Sequence, residues 1–343
     1  MADIKLLHWN IQQFSNNKLN NANRDALINY IAHVVRRTEA NIISLLELKN
    51  SAVNNILARL VPAINVVKGA APPNQWRAIG INSQKNNEAY IVLYQLGNDF
   101  QPLTPAAGGA LPINGLTNQT LLASGAPGGT LRFNSSLTKT GGRKPFYAAF
   151  QTTDTNNNFT IVAYHTMFGF WSGIGVRSIG DLAQSRAILD AGATVNMDAS
   201  LTCGDFNVDF NPAHPGDYNK LMNDVPSSYQ TNQLTSLKTF TPPGGYPNPV
   251  DYRANAYDNI FFYERMAAPA VNQGRVMDLI NDSTTVGGGG AGTMSAYAGA
   301  FVRGPIQAGH LIDNIPPQGF EDAWHIVRHA ISDHLPVYVR ADI

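Results

Sequence analysis

Short β-prone runs recur along this chain, and most of them stop at a carboxylate, an amide or an imidazole. Residues 4–9 run into Asn10, and residues 42–46 stop at Glu47. His165 follows the run 159–164, and Asp205 and Asn207 follow 201–203. Asp258 lies inside the run 257–263, while Asp333 and His334 precede the closing run 335–340. Further strands are expected at 89–94, 146–150 and 199–203. Between these runs the period changes: residues 25–37 place Leu27, Ile28, Ile31, Val34 and Val35 on one helical face. Other helices are expected at 51–60, closed by Pro62, and at 181–195. Many strands with a few helices between them predict an α/β fold, a four-layer sandwich of two packed mixed sheets flanked by helices.

The residue types at the strand ends have a common chemistry. Carboxylates and amides are hard oxygen ligands suited to Mg²⁺, Mn²⁺ or Ca²⁺. Two histidines beside them supply proton transfer or hydrogen bonds to a developing charge. Together they suit metal-assisted attack of water on phosphorus. Taken singly, each has an ordinary explanation: Asn10 as a turn cap, Glu47 as a surface acid, His165 as a core histidine, Asp205 and Asn207 as an Asx-turn. Asp258 is harder to dismiss, because an Asp flanked by aromatics is rarely buried unpaired.

Composition narrows the alternatives. The 24 basic residues balance the 24 acidic ones, which argues against a polyanion binder gripping phosphates by bulk basicity. A local basic patch stays open. Cys203 is the single cysteine, so an internal disulfide and a cysteine-based zinc cluster are excluded. No apolar run is long enough to span a bilayer. The start turns directly into an alternating strand without the form of a signal peptide, so a soluble protein is expected, cytoplasmic or exported by a non-Sec route. Residues 101–142 and 283–319 are rich in small and turn-forming residues without a core pattern and read as loop insertions in one domain spanning 1–343. After His165, Phe168, Phe170 and Trp171 read as a loop folded over the core, with base stacking or acyl-chain contact as the alternative. His8, His33, His214, His310, His325 and His329 read as structural or surface residues.

At the strand-end residues the sequence resembles the DNase I-like endonuclease/exonuclease/phosphatase superfamily. HWNIQ (8–12), LLELK (45–49), AYHTM (163–167), GDFNVDF (204–210), AYDNIFF (256–262) and SDHLPV (332–337) match its segments in its order. NEAYIVLY (87–94) and GGRKPFYAAF (141–150) are weaker matches toward the DNase I branch, with Lys144 where DNase I has Glu. The resemblance implies that Glu47, with Asn10 and Asp333, holds a divalent metal, Mg²⁺ or else Mn²⁺ or Ca²⁺. It implies His334 as general base, oriented by Asp258, and His165, supported by Glu88, as donor to the phosphate oxygens. Asp205 and Asn207 complete the site, and either Asp205 or His334 activates water. Arg143 and Lys49 are implied at the substrate phosphates. The expected activity is metal-dependent endonucleolytic cleavage of DNA by a monomer. The competing reading is a phosphatase or lipid phosphodiesterase acting on a phosphorylated small molecule or lipid. A non-catalytic binding module would show erosion at these positions, and none is visible.

Overall fold

The computed structural model describes residues 2–19, 24–70, 74–82, 87–97, 99–103, 116–117, 121–123, 128–131, 146–165, 198–207, 234–237, 253–264, 271–279 and 327–343. Two strands near the start organise the first sheet. β1 (Asp3–Phe14) pairs in parallel with β2 (Ile42–Lys49) and antiparallel with the last strand, β14 (Val337–Asp342). Adding β3 (Trp76–Asn82), β4 (Glu88–Gln95), β7 (Leu121–Ala123) and β13 (Val271–Val276) gives the order β13-β14-β1-β2-β4-β3-β7. The second sheet runs β12-β11-β10-β9-β8-β6, with β5 (Phe100–Pro102) also on β9. Its strands are β6 (Leu116–Thr117), β8 (Gly128–Leu131), β9 (Phe146–Thr152), β10 (Asn158–His165), β11 (Ala199–Asp205) and β12 (Asp258–Glu264).

Successive side chains on a strand alternate between faces, and β1 uses both. His8 and Asn10 face the second sheet, where they approach Asp258 and Asp205. Trp9 points the other way, its ring 6.5 Å from Tyr30 in α2 (Arg24–Arg37), after the short α1 (Asn16–Leu19). Elsewhere Tyr94, Phe100, Phe150 and Phe159 form an aromatic cluster with ring centroids 5.2–5.8 Å apart, mostly edge to face. α2 buries Leu27, Ile28, Ile31, Val34 and Val35, as the helical spacing predicts. No helix among the described residues is long and apolar enough to cross a membrane.

Several elements differ from expectation for physical reasons. β1 and β2 continue past Asn10 and Glu47, because each carries a register shift there that absorbs the irregular residue. The helix expected to close at Pro62 is α3 (Val53–Lys68) and passes through it. Pro62 is on the exposed side, while Val53, Ile56, Leu60 and Ile64 keep the opposite stripe packed. The real stop is Gly69, whose φ of 63° lets its N–H and that of Ala70 reach the carbonyls of Val66 and Asn65. Within 101–142, β5 to β8 extend both sheets, a role that short edge strands fill without a strong core pattern. The insertion at 283–319, the helix at 181–195 and the aromatic loop after His165 lie outside the described residues.

Candidate active site

Three strands of the second sheet end level with one another. His165 on β10 stands opposite Asp205 on β11, and Asp205 stands opposite Asp258 on β12. Cross-strand partners project to the same face, so one row carries an imidazole and two carboxylates. Gly204 makes that row fit. A Cβ built there would lie 2.0 Å from the Tyr164 carbonyl oxygen, so only glycine allows β11 to approach β10 this closely.

The first sheet supplies the facing groups. Glu47 sits where β2 slips register against β4, with a φ of 61° that non-glycine residues seldom adopt. That bulge turns its carboxylate toward the second sheet: Asn10 Nδ2 donates to Glu47 Oε1 at 3.0 Å and to Asp205 Oδ2 at 2.9 Å. The Gln13 amide donates to Glu47 Oε2 at 3.2 Å. Asn10 Oδ1 is buried and accepts no hydrogen bond among the described residues. The Asn207 amide donates to Asp205 Oδ1 at 3.0 Å, an Asx-turn closing the strand. Asp205 Oδ2 is therefore the oxygen that faces both histidines, 3.6 Å from His165 Nε2 and 3.6 Å from His334 Nε2.

Each histidine is backed by a carboxylate. His165 Nδ1 lies 3.4 Å from Glu88 Oε2, and its Nε2 is 3.6 Å from Glu47 Oε1. His334 Nδ1 lies 2.6 Å from Asp258 Oδ2, which leaves Nε2 on the side of Asp205. The loop carrying His334 is tied to β1. Ser332 Oγ donates to the Asn10 carbonyl at 2.6 Å and accepts from the His334 amide at 3.1 Å. Lys18 Nζ, buried, donates to the carbonyls of Gln12 and Ile331 at 2.6 Å each. Trp9 Nε1 donates to the His334 carbonyl at 2.9 Å.

The electrostatics follow from crowding these charges in a buried space. Burial raises the Asp205 pKa, with Asp258 and Glu47 adding to the effect against His334 and His165. For Glu47 burial also pushes upward, but His165 and the Asn10 amide hold its pKa below the usual value. Burial works against the charge of His334, yet Asp258, Asp205 and Asp333 together raise its pKa well above 6.5. Asp258 is pulled down despite its burial, chiefly by His334.

Of the residues singled out from sequence, Asn10, Glu47, Glu88, His165, Asp205, Asn207, Asp258 and His334 come together. Asp333 stands at the edge, its carboxylate 3.8 Å from His334 Nε2. Lys49 pairs opposite Glu88 in the β2–β4 ladder, at the same end of the sheet. Arg143 lies outside the described residues. Sequence reasoning missed Thr235, whose hydroxyl donates to Asp258 Oδ2 at 2.8 Å and accepts from the Asp258 amide at 2.9 Å. No local pattern marks it, since Thr235 lies outside the strands and 23 residues from Asp258 in the chain. It also missed His8 beside Asp258, although a period of two from Asn10 puts both on one face.

The site has donors for a divalent cation. Glu47, His165 and Asp205 bring ligand atoms within 4.8 Å of one another, as do Asp205, Asp258 and His334. The hard oxygens of Glu47 and Asp205 beside the orphaned Asn10 Oδ1 fit such an ion.

Comparison with known proteins supports the architecture. No family model matches the chain, and no curated protein matches it. Solved structures do. An endonuclease/exonuclease/phosphatase family protein from Bacteroides thetaiotaomicron is 14% identical with a TM-score of 0.54, covering 99% of this chain and 98% of its own. The mannosyl-6-phosphatase of the same organism is 14% identical with a TM-score of 0.52, covering 99% of this chain and 100% of its own. D. rerio TDP2, complexed with single-strand DNA product, is 10% identical with a TM-score of 0.50, and both chains are covered in full. The chain therefore has the endonuclease/exonuclease/phosphatase fold.

Proposed function

We propose that this chain is a divalent-metal-dependent phosphoric ester hydrolase, and within that class an endonuclease acting on DNA. One observation carries the reading. Asn10, Glu47, His165, Asp205, Asp258 and His334, drawn from both sheets and the last loop, face one another across a few ångströms, with an unsatisfied Asn10 oxygen among them. Glu47, Asp205 and Asn10 are the residues that would hold the ion, with Asp333 beside them. When bound, the ion supplies a Lewis acid that offsets charge on the non-bridging phosphate oxygens.

The chain's own groups divide the remaining work. In its neutral form, which a cation on Asp205 would favour by offsetting one of the carboxylates that raise its pKa, His334 keeps Nδ1–H on Asp258 and presents Nε2 as the acceptor for a proton from the attacking water. Asp205, beside that nitrogen, orients the water and stabilises the imidazolium that forms. His165, oriented by Glu88, donates from Nε2 to the phosphate oxygens as charge builds. Asn207 and Lys49 are assigned to the substrate phosphates, and Arg143 is assigned there by the sequence resemblance alone.

Two observations bear on the substrate. The likeness to a protein complexed with a DNA product supports a nucleic-acid diester. The likeness to a mannosyl-6-phosphatase supports the second reading, a phosphomonoesterase. Supercoiled plasmid, a sugar 6-phosphate and a phospholipid, each incubated with Mg²⁺ or Mn²⁺ and with EDTA, separate them. Metal-dependent nicking is expected. Intact plasmid beside an active control DNase, with phosphate released from the sugar phosphate, would refute the nuclease assignment and leave the hydrolase.

A further inference from the structure

His8 takes no part in the chemistry just proposed, yet it is fully buried against the carboxylate that orients the base. Its Nε2 stands 3.6 Å from Asp258 Oδ1, and its Nδ1 lies 3.5 Å from Ser44 Oγ. Ser44 is the register partner of His8 in the parallel β1–β2 ladder, so both project from one face. The two oxygens of Asp258 differ sharply. Oδ2 is held by His334 Nδ1 at 2.6 Å and Thr235 Oγ1 at 2.8 Å. Oδ1 is buried without a hydrogen bond among the described residues, and His8 Nε2, equally unsatisfied, faces it. A bare carboxylate oxygen in a dry interior is costly, and an apolar side chain at position 8 would leave it so.

We infer that His8 is a positioning residue: its Nε2–H faces Asp258 Oδ1 while its Nδ1 lies against the Ser44 hydroxyl, so that Asp258 keeps Oδ2 on His334. The 3.6 Å separation is longer than a formed hydrogen bond, so the contact acts as an electrostatic one between the ring N–H and the carboxylate. The row Ser44–His8–Asp258–His334 crosses from the first sheet to the second and ends on the nitrogen that faces Asp205. Its consequence is the orientation of the His334 ring, with the proton kept on Nδ1 and Nε2 left as acceptor. A histidine that merely filled the core would stabilise the fold without bearing on that ring. The inference rests on the hydrolase reading of the same site.

The variants are His8→Leu, which removes the donor at similar size, and His8→Gln, whose Nε2 reaches the same place. Turnover of bis(p-nitrophenyl) phosphate with Mn²⁺ is the first readout. His8→Leu is expected to lower kcat about 10–100-fold, the range for an outer partner of a site, with KM and Mn²⁺ half-saturation unchanged, and His8→Gln to recover most of it. The second readout needs no turnover. The downfield Nδ1–H proton resonance of His334, identified by its loss in His334→Ala, should move in His8→Leu and return in His8→Gln. Wild-type kcat and an unmoved resonance in folded His8→Leu overturn the inference. If His8→Leu does not fold, Ser44→Ala takes its place, and an unmoved resonance there is equally fatal. A His334→Ala variant as active as wild type sinks the hydrolase reading itself, and the resonance still judges His8.

Discussion

Replacing Gly204 by alanine adds one methyl group where the backbone leaves no room. The new Cβ would lie 2.0 Å from the Tyr164 carbonyl oxygen, 3.0 Å from its carbon and 3.3 Å from Phe206 Cζ. Ordinary non-bonded contact lies near 3.5 Å, so the two backbones must part by roughly 1–1.5 Å. Parallel pairing from Phe159↔Ala199 to His165↔Asp205 resists that movement. The residues that give way are the next ones along, His165 and Asp205. Overpacking a tight interior costs about 1–3 kcal/mol. At ~2.1 cal/mol/K per residue, a 343-residue chain unfolds with ~0.7 kcal/mol/K, so Tm should fall by ~1.5–4 °C. Misplacing reacting groups by about 1 Å costs on the order of 10²-fold in rate. Loss of turnover should thus far exceed loss of stability. Thermal melts beside kcat on a diester with saturating Mn²⁺ measure both. Gly69→Ala is the control: a Cβ there meets nothing within 4 Å, but its φ of 63° is left-handed. It should lower stability by about 1–2 kcal/mol and leave turnover unchanged. A Gly204→Ala protein with wild-type kcat and Tm would refute the reasoning.

Other perturbations separate stability from function. Glu47→Gly relieves a left-handed backbone worth about 1–2 kcal/mol, so the metal-free Tm should hold or rise while turnover disappears; a fall of several degrees in EDTA argues against the bulge. A divalent cation at 100 times its Kd should stabilise the protein by about 2.7 kcal/mol, or ~4 °C at the same unfolding entropy. Asn10→Leu should abolish that shift, and an equal shift in both proteins contradicts the assignment. Burial lowers the His8 pKa, but Asp258 and Cys203 outweigh it and raise it from 6.5 to about 9. Its charge then adds stability in full below pH 6.5, lost as pH rises through about 9. Melts in EDTA should show that alkaline loss in wild type and a shallower one in His8→Gln.

What the sequence made legible was the position of polar residues at strand ends and the apolar face of α2. Both depend on local periodicity, which a reader can count. The missing parts depend on contacts between distant segments. Nothing near Glu47 announces a bulge, because its register against β4 is settled by pairing across the sheet. Thr235 is separated from Asp258 by 23 residues, and Lys18 from Ile331 by 313, so neither bond leaves a trace in spacing. Pro62 misled because a proline on the exposed side of a well-packed helix loses a hydrogen bond without ending it. His8 reads from sequence as a structural or surface residue, because the carboxylate it faces, Asp258, lies on the other sheet.

The central claim is that this cluster of carboxylates and imidazoles hydrolyses phosphoric esters with a divalent metal. Its most direct test is hydrolysis in ¹⁸O-labelled water with Mn²⁺, comparing wild type, wild type in EDTA and His165→Ala/His334→Ala. The account predicts ¹⁸O on the phosphate product of wild type alone, with both controls inactive. Label on the alcohol, or equal turnover by the double variant, would contradict it.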